Sequence, residues 1–139
     1  MQVEATSALI AIFMLKLCLP VAGFRKQTLE VRGRLLCGAE AAVGAKIQLV
    51  ELDEGTDPDD DMGRQITGDD GRFDLRGSTY EIDDIEAVLS IQHSCNLGGR
   101  KCQRLWRTAV PTKYINAMPF DVGEINLEVK LDRERFHCS

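Results

Sequence analysis

Ile66-Thr67-Gly68-Asp69-Asp70-Gly71-Arg72-Phe73-Asp74-Leu75-Arg76-Gly77 sets a polar, glycine-bearing turn between two short runs whose apolar residues alternate. Asp and Gly tolerate the positive φ that tight turns demand, so Asp70-Gly71 reads as the turn of a β-hairpin. Phe73 and Leu75 then share one face, with Arg72, Asp74 and Arg76 on the other. Ile66 is the expected cross-strand partner of Phe73 or Leu75, according to whether the loop holds four residues or two. A lone hairpin is marginal in water, so this one requires a sheet and a second layer to bury Phe73.

The same period of two recurs on both sides of the hairpin. From Thr28, the residues Leu29, Val31, Gly33, Leu35 and Cys37 alternate with Thr28, Glu30, Arg32 and Arg34, the pattern of a half-buried strand. Gly38 to Gly44 turns the chain, and Ala45, Ile47 and Leu49 begin a second strand. The run 53–61 is too acidic and breaker-rich for regular structure. Ser78 to Glu86 has room for one helical turn. Ala87 to His93 and Gln103 to Val110 read as strands around a glycine turn at 96–101, and Lys113-Tyr114-Ile115 as a short one. In the last strand, Glu124 to Leu131, the residues Ile125, Leu127, Val129 and Leu131 point inward. Seven or eight short strands without an amphipathic helix predict an all-β, two-sheet antiparallel sandwich.

The chain of 139 residues is expected to hold one such domain, 24–139, behind a secretory signal peptide, 1–23. Ala8 to Leu19 is an apolar run too short to span a bilayer comfortably, followed by Pro20 and the small residues Val21-Ala22-Gly23. Cleavage is expected before Phe24, with Ala22 as the alternative last residue. Cleavage removes Lys16 and Glu4, one charge of each sign, so the net charge stays at −5. A mildly acidic domain is a poor candidate for nucleic-acid binding, which rests on phosphate neutralisation. Cys37, Cys95, Cys102 and Cys138 remain after cleavage, an even set that a secreted domain oxidises. Cys95 and Cys102 end strands that the glycine turn can bring together, which leaves Cys37 to pair with Cys138.

Six segments in order resemble the nematode transthyretin-like family. They are Val31-Arg32-Gly33-Arg34-Leu35-Leu36-Cys37, then Thr67 to Leu75, then Leu89-Ser90-Ile91-Gln92-His93-Ser94-Cys95. Cys102-Gln103-Arg104, Pro111 to Ile115 and Asp121-Val122-Gly123-Glu124-Ile125-Asn126-Leu127-Glu128 complete the set. The resemblance implies a secreted, transthyretin-type β-sandwich. The family has no established reaction or single ligand, and some members are thought to act as ligands or bridging molecules at cell surfaces. The expected function is therefore an extracellular interaction module. A carrier of a small hydrophobic ligand in a transthyretin-like oligomer is the alternative, and a hydrolase related to 5-hydroxyisourate hydrolase ranks last.

The polar residues refine this reading. His93, Cys95, Cys102, His137 and Cys138 lack the tight spacing of a structural zinc site, so no metal or cofactor is expected. Asp57, Asp59, Asp60 and Asp61, with Asp69 and Asp70, offer oxygens for calcium but match no calcium loop, and read as solvated. His93 shares a face with Leu89 and Ile91, as a hydrogen-bonded core residue would. No nucleophile–base pair can be assembled, so no enzymatic activity is expected. Charge is segregated: residues 51–86 hold fourteen acids against three bases, while residues 100–113 hold five bases and no acid. Trp106 is expected in the core. Arg100, Lys101, Arg104 and Arg107 form the candidate patch for an anionic partner, such as an extracellular protein, a lipid headgroup or a glycan.

Overall fold

A computed structural model describes residues 23–53 and 59–138. The expected signal peptide lies outside these residues except for Gly23, and Asp57 lies outside them too. The chain forms two sheets of four and five strands packed as a sandwich. The first strand, β1 (Arg25–Cys37), is the spine of the smaller sheet. It pairs antiparallel with β5 (Arg72–Glu81) and with the two-residue β2 (Glu40–Ala41), and parallel with β8 (Phe120–Asn126). The larger sheet runs in the order β4 (Asp60–Ile66), β3 (Lys46–Glu51), β6 (Ala87–His93), β7 (Gln103–Val110), β9 (Arg135–His137), each pair antiparallel.

The core follows from the alternation. Leu29, Val31 and Leu35 of β1 and Phe73 and Leu75 of β5 point at Ile47 and Leu49 of β3 and at Leu89 and Ile91 of β6. Successive side chains leave a strand on opposite faces, so each strand gives one row to the interior and one to solvent. Gln27 is a buried exception, and its amide is fully used. Its Nε2 donates to the carbonyls of Glu81 and Asp83, and its Oε1 accepts from the Ile85 amide. These bonds hold residues 82–86 in a bend where a helical turn had room to form.

The stretch around Asp70-Gly71 does not close a hairpin. Ile66 ends β4 in the larger sheet, opposite Lys46, whereas Arg72 starts β5 in the smaller one, opposite Arg34. The chain crosses between layers here, and Ile66 is 64% exposed rather than a partner of Phe73 or Leu75. Two residues hold the crossing. Thr67 is buried; its Oγ1 accepts from the Ala45 amide at 2.9 Å and donates to the Ala42 carbonyl at 2.6 Å. Gly71 adopts φ +69°, and a Cβ there would lie 2.3 Å from the Leu35 carbonyl oxygen. The faces of Phe73, Leu75, Arg72, Asp74 and Arg76 are as the alternation predicts.

Two further expectations are corrected. Residues 112–114 form a short 3-10 turn rather than a strand. The final strand stops at Asn126, whose Oδ1 accepts from the amides of Gly38 and Glu128. Leu127 then turns inward, Val129 is exposed, and the chain returns as β9 beside β7.

The disulfides are Cys37–Cys95 and Cys102–Cys138, not Cys37–Cys138 and Cys95–Cys102. Cys37 ends β1 and Cys95 follows β6, so the first bridge joins the two sheets across one end of the sandwich, with Cα atoms 5.8 Å apart. The second follows from register: Gln103 lies opposite His137, so the preceding Cys102 meets Cys138, with Cα atoms 4.6 Å apart. The pairing of β9 with β7, which brings the tail to Cys102, leaves Cys95 free to reach Cys37 across the layers.

Candidate functional site

Arg104 leaves the predicted patch. Strand alternation turns it inward with Trp106, which packs partly buried against the core. Arg104 is only 4% exposed. Its Nη1 donates to the carbonyls of Cys95 (2.9 Å) and Leu127 (2.6 Å), and its Nη2 to that of Val129 (2.8 Å). The same guanidinium pairs with the buried carboxylate of Glu134 at 2.8 Å. His93, opposite Arg104 in register, sets Nε2 3.7 Å from Glu134 Oε1 and accepts the Cys95 amide on Nδ1. The accepting Nδ1 leaves the proton on Nε2, facing Glu134. Burial and then the Arg104 charge hold His93 below the ordinary imidazole value, against the pull of Glu134. His93 is the hydrogen-bonded core residue its strand pattern predicts. Glu134 has no local signal in the sequence; only the demand of a buried arginine for an acid, and the tertiary path of the tail, select it.

The register instead builds a basic face on the outside of the larger sheet. One cross-strand row reads Arg64, Gln48, Ser90, Arg107, and the next reads Ile66, Lys46, Gln92, Leu105, Arg135. Lys46, Arg64, Arg107 and Arg135 are exposed. Among the described residues, Asp61 lies on this face and pairs with Arg64. At a strand spacing of about 4.8 Å, the two bases of each row, Arg64 with Arg107 and Lys46 with Arg135, lie three strands and roughly 14 Å apart across the sheet. Lys101 is exposed in the turn at the end of this sheet, and Arg100 packs over the Phe136 ring at 4.4 Å. Of the four predicted bases, Arg107 lies on this face, Arg100 and Lys101 sit at its end, and Arg104 is interior. The smaller sheet differs: Arg32 pairs with Asp121 and Arg34 with Glu124 across an open cavity of about 750 Å³ lined by both signs.

Acids gather at the opposite end of β6, where β3 and β5 finish and β4 begins. Glu51, Asp53, Asp60 and Glu81 place one carboxylate oxygen each within 4.8 Å of the others. Burial, followed by Glu81, Asp53 and Asp60, pushes Glu51 up to about 7. Of the acids considered for calcium, Asp60 joins this group. Asp61 turns to Arg64, while Asp59 accepts the Asp53 amide at 3.4 Å. Asp69 and Asp70 lie in the crossing loop. Seven residues of β6 at ~3.4 Å each separate this acidic end from the Arg100–Lys101 turn.

With the sandwich, the two bridges and this polar layout described, comparison with known proteins adds the family. Residues 32–111 match the model described as TTR-52, Transthyretin-like family. The chain belongs to the transthyretin-like family. Among its relatives in Caenorhabditis elegans, transthyretin-like protein 46 is 36% identical over 81% of this chain and 66% of its own length. Transthyretin-like protein 2 is 36% identical over 82% of this chain and 84% of its own length. Transthyretin-like protein 5 is 35% identical over 81% and 84%. The chain thus spans just under two thirds of the length of the first of these relatives. Part of a 9R-lipoxygenase from Cyanothece overlays 73% of this chain and 17% of its own, with a TM-score of 0.45 and 16% identity, a match too loose to carry argument.

Proposed function

We propose that this transthyretin-like chain is a secreted binding module that docks the outer face of its larger sheet onto the acidic surface of an extracellular protein. The observation that carries this reading is the placement of Lys46, Arg64, Arg107 and Arg135 on one exposed face by cross-strand register. The face is broad and lies on a rigid sheet, which suits a protein surface better than a small ligand. Ile66 and Leu105 lie in the same row and give it apolar area. Two disulfides, and no helix among the described residues long and apolar enough to cross a membrane, are compatible with secretion. A binding role rather than catalysis is supported by how the polar core is spent. Arg104 gives its N–H groups to backbone carbonyls and to Glu134, and His93 Nδ1 accepts the Cys95 amide, all away from solvent.

The test is a screen of the tagged protein against cell-surface proteins, followed by charge reversal on any hit. Lys46→Glu with Arg107→Glu should weaken binding at least tenfold, mainly through slower association, and flatten its salt dependence. Arg100→Glu with Lys101→Glu, at the end of the sheet, should do less. If the two pairs act equally, or if binding ignores salt, the basic face is only solvated surface. Preference for sulfated glycan or anionic vesicles over every protein tested would replace the partner class.

A further inference from the structure

We infer that Glu51, Asp53, Asp60 and Glu81 form a calcium site at the acidic end of the sandwich, closing the gap between its two sheets.

The site draws on both layers. Glu51 and Asp60 are register partners on the inner side of the larger sheet. Glu81 lies on the inner row of β5, in step with Phe73 and Leu75, and so faces them from the smaller sheet. Asp53 follows β3. Their oxygens all lie within 4.8 Å of one another. Oxygens bound to one calcium ion at about 2.4 Å lie no more than about 4.8 Å apart, so this spacing admits a single shared ion. Four carboxylates binding through one or two oxygens each, with water, reach the six to eight oxygens that calcium takes.

A second observation is separate from the clustering. Glu51 is 3% exposed, and its Oε2 is buried without a hydrogen-bond partner among the described residues. A buried carboxylate oxygen left unsatisfied is costly and uncommon in folded proteins, and a cation is one of the few things that would satisfy it. After burial, Glu81, Asp53 and Asp60 all push the Glu51 carboxyl up, opposed by one side-chain hydrogen bond from Thr79. Arg25 lies opposite Glu81 in register, yet its guanidinium reaches Asp84 at 3.1 Å and the Ile82 carbonyl. A cleft of about 320 Å³ lined by Glu51, Asp53, Glu81 and Asp83 opens the group to solvent, so an ion has a way in. The donors are hard oxygens without sulfur or imidazole, which favours calcium over zinc, and their looseness favours it over magnesium.

The experiment is thermal unfolding and titration calorimetry of the purified, oxidised protein in CaCl2, MgCl2 or EDTA. Calcium should raise Tm by roughly 3–6 °C over EDTA at 10 mM and bind one ion per chain with Kd in the ~10⁻⁴ to 10⁻³ M range of extracellular modules. Magnesium should do less. Glu51→Gln with Asp60→Asn should weaken calcium binding at least tenfold and abolish the Tm rise, while folding as well as or better than the parent in EDTA. Asp69→Asn, in the crossing loop, should change neither. Should the paired variant fail to fold, Glu81→Gln alone must show the tenfold weakening. Equal Tm in calcium and EDTA overturns the site, as does a calcium response that survives in Glu51→Gln/Asp60→Asn or is lost in Asp69→Asn.

Discussion

Three backbone carbonyls and the Glu134 carboxylate receive the N–H groups of Arg104, which is how a guanidinium persists inside a sandwich of this size. Burying a charge is unfavourable unless it is paired and its donors are satisfied, and here both conditions hold. The pair also has a mechanical role, since Leu127, Val129 and Glu134 all belong to the tail that carries the chain from β8 to β9. Glu134→Ala should therefore destabilise the fold by ~3–5 kcal/mol, because it strands a buried positive charge. Breaking the exposed Arg32–Asp121 pair with Asp121→Ala should cost no more than ~1 kcal/mol. Urea unfolding of both variants makes the comparison, and similar losses would mean the buried pair contributes little. That Arg104 is internal follows from simple alternation with Trp106. Its place in a cluster of bases hid this, because composition says nothing about direction.

At the scale of elements, the sequence pattern predicted most strands and misread one connection. Asp70-Gly71 looks like a hairpin turn because the local chemistry of a tight turn is the same whether the chain folds back or crosses to another layer. What separates the two outcomes is which strand edge the flanking segments meet, and β3 and β1 are far away in sequence. The crossing depends on Thr67 and Gly71. Gly71→Ala forces an L residue to φ +69° with its Cβ against the Leu35 carbonyl, and should cost ~2–3 kcal/mol. Gly68→Ala, three residues earlier, meets no atom within 4 Å and should cost under ~1 kcal/mol. Chemical denaturation of the two variants tests this; equal effects would show that the crossing tolerates a side chain at Gly71.

For the whole molecule, the bridges and the charge layout are consequences of topology. The bonded cysteines are 58 residues apart in Cys37–Cys95 and 36 apart in Cys102–Cys138, so loop entropy values them within about 0.5 kcal/mol of each other. Their surroundings differ more. Cys95 is buried between the layers, whereas Cys138 is exposed beside an edge strand. Limited reduction should open Cys102–Cys138 first, and unreduced peptide mapping should recover Cys37 joined to Cys95. Opening in the reverse order would show that the sheet edge is the better protected end.

The sequence by itself determined which residues face inward along β1, β3, β5 and β6, the all-β class, the family and the separation of acid from base. Each depends on the order of neighbouring residues, since a strand's period of two is a property of its own backbone. Only the tertiary structure decided that β4 and β5 lie in different sheets, that Cys37 meets Cys95, and that Glu134 reaches Arg104. It alone also set Lys46, Arg64, Arg107 and Arg135 on one face and brought Glu51, Asp60 and Glu81 together. Those are pairings between distant segments. They are selected by the packing of the whole core and by strand register, and no short stretch of chain carries either.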